Sequence, residues 1–112
     1  MMEGNLLSGV QHVNMHLTEG MARGCVHETD HLQVMRIRLA PGEALPHHRS
    51  NAQVLLVPLG GTISLETPVG GGTIGVGEAL SLPYDTPMDV SNAGEDTAVF
   101  LVIKTPHPKT FK

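Results

Sequence analysis

The 112-residue chain has no tryptophan, one tyrosine, two phenylalanines and one cysteine. So few rings exclude the stacking platforms on which single-stranded nucleic acids are held. The seven lysines and arginines do not gather into a basic patch, and the formal net charge is −4. Nucleic acid is therefore not an expected partner. The lone Cys25 excludes an internal disulfide and any zinc site built from several thiolates. No apolar run reaches the roughly 18 residues a spanning helix needs, so no membrane partner is expected. Met1 to Val10 lack the basic stretch and long apolar segment of a secretory leader, and a cytoplasmic location is the expectation.

What the chain does have is punctuation: 13 glycines and 8 prolines in a sequence that is 40% hydrophobic. That composition argues for an ordered single domain with many turns and against a helical bundle. Strands are expected over residues 22–28 and 32–39. In the second, Met35, Ile37 and Leu39 alternate with Arg36 and Arg38, the period of a sheet with one wet face. Further strands are expected over 54–59, 62–66, 79–82, 88–90 and 97–103, with a short one through Thr73, Ile74 and Val76. Gly70 to Gly72 reads as a hairpin tip, and Asn92 to Asp96 as a solvated turn. Asn5 to Leu17 reads as an irregular arm or a short strand. The expected organisation is an arm (1–20), one all-β sandwich or barrel (21–105) and a tail (106–112).

Two strands are apolar on both faces. Val54 and Leu56 oppose Leu55, Val57 and Leu59; Ala98, Phe100 and Val102 oppose Val99, Leu101 and Ile103. Both faces need cover, worth about 1.5–3 kcal/mol per fully buried side chain. A second copy is the economical source, so a two-fold homodimer is expected; cover by loops or the N-terminal arm is the alternative.

The segment Pro41-Gly42-Glu43-Ala44-Leu45-Pro46-His47-His48-Arg49-Ser50 resembles the opening of the first cupin motif: Gly, five residues, His-x-His, three or four residues, Glu, six residues, Gly. Gly42, His48 and Gly61 fit. The second motif runs Gly, five residues, Pro-x-Gly, two residues, His, three residues, Asn; Gly77, Pro83 and Asn92 fit. The resemblance spans residues 32–103 and implies a cupin-type jelly-roll β-barrel, or double-stranded β-helix. Cupin metal centres use both histidines and the glutamate of the first motif with the histidine of the second. Those positions hold His48, Ser50, Val54 and Met88, and Asp85 replaces the motif glycine. A one-residue slip would put His47, Arg49 and Gln53 at the first three positions and Gly60 at the close. The first register keeps Ile63 and Leu65 alternating after Gly61. Neither restores the ligand set, so no metal and no other cofactor is expected.

Other pairings carry less. His47 and His48 are neighbours, so on a strand only one can face a cavity. Cys25 and His27, two apart, would share a strand face, without a third group to orient a nucleophile. His12/His16 and His27/His31 have the i, i+4 spacing of helical metal ligands, but neither lies in a helical pattern. The expected function is non-catalytic binding or sensing of a small molecule in the barrel, at a pocket edged by His47, His48, Ser50, Gln53, Tyr84 and Met88. Core filler is the favoured reading of Met88 over a pocket wall, and a turn residue is an equal alternative for Tyr84. The alternatives are a cupin enzyme of oxygenase or isomerase type, with or without metal, around His48, and a purely structural dimeric barrel. No catalytic residue is assigned.

Overall fold

A computed structural model describes residues 10–111. Among them the chain forms nine strands: β1 (Arg23–Glu28), β2 (Gln33–Leu39), β3 (His48–Arg49), β4 (Val54–Gly60), β5 (Thr62–Thr67), β6 (Gly70–Gly75), β7 (Leu80–Leu82), β8 (Pro87–Ser91) and β9 (Ala98–Lys104). A 3-10 turn over Pro108–Phe111 follows. The strands pair antiparallel in two sheets, β1-β2-β9-β4-β7 and β3-β8-β5-β6. The all-β barrel is the class that the turn spacing predicts, and its form is the double-stranded β-helix that the motif resemblance implies.

The alternation that marks each strand also fills the space between the sheets. Ile37 and Leu39 of β2, Val54 and Leu56 of β4, and Ala98, Phe100 and Val102 of β9 face Ile63, Leu65, Ile74, Met88 and Val90 of the opposite sheet in one buried cluster. Asn92 is buried among them. Its side-chain amide donates to Leu39 O at 2.9 Å and Asp96 O at 2.8 Å, while its Oδ1 accepts from Gly94 N at 3.0 Å. The segment read as a solvated turn is thus anchored from inside.

Three local expectations change. Gly70 to Gly72 are not a hairpin tip but the start of β6, paired with Thr67, Glu66 and Leu65; the turn is Pro68-Val69. A Cβ on Gly71 would stand 2.4 Å from Leu65 O, so glycine here permits close backbone approach. Cys25 and His27 do not share a face. Cys25 pairs with Met35 and His27 with the adjacent Val34, because Val26 is the extra residue of a bulge. The strand β3 was not expected, being two polar residues long.

The outer face of the five-stranded sheet is covered unevenly. Met15 O accepts from Arg36 Nη1 at 3.4 Å, and a Cβ on Gly24 would meet Leu17 at 3.1 Å, so the irregular segment after Val10 runs across β1 and β2. Of the segment 5–17, residues 5–9 lie outside the described residues, and 10–17 form no strand. On the β4 side, Leu55 and Leu59 remain 37% and 42% exposed.

Candidate functional site

The cavity lies between the two sheets and encloses about 280 Å³. Its floor and walls are apolar: Met35 and Ile37 from β2, Val54 and Leu56 from β4, Met88 and Val90 from β8, Phe100 and Val102 from β9. Strand parity selects them, since each is an inward residue of its strand. Polar groups enter at the rim: Arg23 from β1, Lys104 from the end of β9, His48, and Asn51 from the loop after β3. Among the described residues no carboxylate lines the cavity.

His48 is held by its own loop. Its Nδ1 lies 2.9 Å from Pro46 O. A carbonyl only accepts, so Nδ1 carries the proton in this contact, and Nε2 is the ring nitrogen left for another partner. Ser50 also lines the cavity, but its hydroxyl is engaged: Oγ donates to Pro83 O at 2.6 Å and accepts from Thr86 N at 2.8 Å. Ser50 N and O bond Thr86 and Asp85 as well, sewing the β3 loop to residues 83–86. Asp85 has φ +64, the left-handed region where glycine is at home. Arg49 braces it, Nε to Oδ1 at 2.7 Å and Nη2 to Asp85 O at 3.2 Å. That hydrogen bond holds the Asp85 carboxyl below the ordinary aspartate range.

Of the six residues the sequence suggests, the cavity gathers three: His48, Ser50 and Met88. His47 faces away, its Nδ1 2.9 Å from Asp89 Oδ1. Gln53 is exposed, with its backbone carbonyl accepting from Thr105 N at 3.2 Å. Tyr84 does not close the barrel; it stacks on Phe111 at 4.3 Å between ring centroids and lines a shallow depression with Arg49, Asp85, His107 and Lys109. That tail is pinned to β1 and the turn after it: His107 contacts Glu28, Lys109 Nζ bonds Asp30 at 2.9 Å, and Thr105 Oγ1 donates to His31 O at 3.2 Å.

Sequence reasoning missed Arg23, Asn51 and Lys104. Lys104 carried a signal: it continues the inward parity of Phe100 and Val102. Arg23 carried a fainter one, since its partner Ile37 is an inward residue of β2. Asn51, in an irregular loop, carried none.

The sequence is 35% identical over 83 residues to an uncharacterized protein of Methanocaldococcus jannaschii, covering 72% of this chain and 71% of that one. The crystal structure of that archaeal protein, an RmlC-like cupin with a double-stranded β-helix fold, superposes with a TM-score of 0.78 over 91% of this chain and 97% of its own. The chain belongs to the RmlC-like cupin family. A cupin domain from Bordetella pertussis is similar too, at 26% identity, with a TM-score of 0.64 over 74% of this chain and 90% of the other. No family model matches the sequence.

The cupin fold implies a metal at the positions of His48, Ser50, Val54 and Met88, and all four line the one cavity. Their donor chemistry does not fit a divalent cation. His48 supplies one nitrogen, Ser50 has its hydroxyl committed to two backbone groups, Val54 donates nothing, and Met88 offers a soft thioether. In the slipped register His47, Arg49 and Gln53 do not line the cavity. Among the described residues no three His, Cys, Asp or Glu side chains converge.

Proposed function

We propose that this cupin is a non-catalytic binder of a small organic molecule, using the barrel cavity without a resident metal. One observation carries the reading: the family's four ligand positions meet at an apolar cavity, and among the described residues His48 is the one imidazole or carboxylate that lines it. An apolar concavity with a few polar groups at one end is the usual form of a small-molecule site. At about 280 Å³ it suits a ligand smaller than a typical drug. The lone free thiol of Cys25 accords with a reducing compartment, and we place the protein in the cytoplasm.

The test is to titrate isotope-labelled protein with a panel of small organic molecules and follow its amide resonances. Binding should move resonances of β2, β4, β8 and β9 that line the cavity and raise the melting temperature by mass action. A panel in which every hit maps to the outer surface, or none binds, contradicts the reading.

We also propose a second copy of this chain as the cover for β4 and β9. On their outer face Leu55 pairs with Ile103 and Val57 with Leu101; Leu101 is already buried within the chain, and the strip left open runs from Leu55 to Leu59. A strip of this kind can pack on itself across a two-fold axis.

A further inference from the structure

The rim of the cavity is cationic in a chain that is acidic overall. Acidic residues outnumber lysine and arginine 11 to 7, yet Arg23 and Lys104 both line the cavity. The ion pairs among the described residues are His47–Asp89, Arg49–Asp85, His107–Glu28 and Lys109–Asp30. Neither Arg23 nor Lys104 takes part in one, and among the described residues no carboxylate lines the cavity to oppose them.

Strand parity explains how they come there. Arg23 pairs with Ile37 across β1 and β2 on the inward side. Lys104 follows Phe100 and Val102 along the inward side of β9. Arg23 is exposed, but Lys104 is half-buried, and a half-buried cation without a counter-charge loses hydration and gains nothing in return. Burial accordingly pushes the Lys104 ammonium below the ordinary lysine range. An anion at the rim would reverse that loss with charge-assisted hydrogen bonds. Behind the rim, Ile37, Leu56, Val90 and Phe100 offer hydrocarbon rather than donors.

We infer that the ligand is a small aliphatic carboxylate, its head at Arg23 and Lys104 and its chain in the apolar interior. The inference rests on the reading of the cavity as a small-molecule site and adds the chemical class. The volume accommodates about nine groups at roughly 30 Å³ each, the share of one water in the liquid. An inorganic anion would leave the apolar interior unused, and an uncharged alcohol would leave both cations unpaired.

Calorimetric titration of the whole chain with hexanoate, 1-hexanol and inorganic phosphate tests this. Variants Lys104→Met and Arg23→Met keep much of the apolar stem and remove the charge. Hexanoate should bind wild type at least about tenfold tighter than hexanol, the worth of one charged hydrogen bond. Each variant should lose most of that advantage, read as the ratio of hexanoate to hexanol affinity in the same variant. Raising salt to about 0.5 M should weaken hexanoate and not hexanol, a readout on wild type that stands if a variant misfolds. Equal binding of hexanol and hexanoate overturns the carboxylate and leaves the cavity reading intact. Phosphate binding as tightly as hexanoate overturns the amphiphilic class. If neither organic compound binds, the inference falls, and the panel titration decides separately whether the cavity binds anything.

Discussion

His48 and Met88 stand directly opposite each other across the β3–β8 pair. The resemblance assigns a metal-ligating histidine to each position, and here one is an imidazole and the other a thioether. The backbone that would hold a cupin metal is in place while most of the donors are not.

Restoring the donors should therefore restore a metal. The triple variant Ser50→His, Val54→Glu, Met88→His is expected to bind about one equivalent of nickel or zinc, measured by calorimetry, where wild type binds none in the cavity. Without metal it should be several kcal/mol less stable, because it buries an unpaired carboxylate and breaks the Ser50 bonds to Pro83 and Thr86. Metal should recover much of that loss.

Asn92 fastens the turn before β9 to the end of β2. Removing its side chain leaves Leu39 O and Asp96 O without these donors in a buried site. Asn92→Ala should cost about 1–3 kcal/mol, read from the urea midpoint at unchanged slope.

The tail is held by two acids. The His107 hydrogen bond holds Glu28 below the ordinary glutamate range, and the Lys109 hydrogen bond does the same for Asp30. A carboxyl depressed in the folded state favours docking above its unfolded pKa, about 4.3 for Glu and 3.9 for Asp. That contribution fades as pH falls through the lower folded values. The Phe111 ring resonances, shifted by stacking on Tyr84, should move toward free values below about pH 4, and should already be displaced at neutral pH in Glu28→Gln.

If a second copy covers the outer strip, light scattering at micromolar concentration should give about twice 11.9 kDa. Leu55→Lys, charging an exposed position, should give a monomer with an unchanged fold. A wild-type mass of 11.9 kDa contradicts the proposal.

The all-β class and most strands are legible because period-two alternation is a local property and glycine and proline mark its ends. Departures arise where a local rule meets a non-local fact. The glycines at 70–72 look like a turn, yet their lack of side chains serves the ladder with β5. The spacing of Cys25 and His27 implies one face until a bulge puts them on two. Asn92 is polar and sits in a polar run, but barrel closure buries it. The site is half legible for the same reason. His48, Ser50 and Met88 belong to motifs readable along the chain, whereas Arg23 and Lys104 meet the cavity through the β1–β2–β9 pairing.

The measurement that bears most directly on the account is elemental analysis of protein produced with iron, nickel and zinc supplied and purified without chelators. The account predicts far less than one equivalent of any of them, with no change in His48→Ala. One equivalent of a divalent metal per chain, lost in His48→Ala, contradicts it.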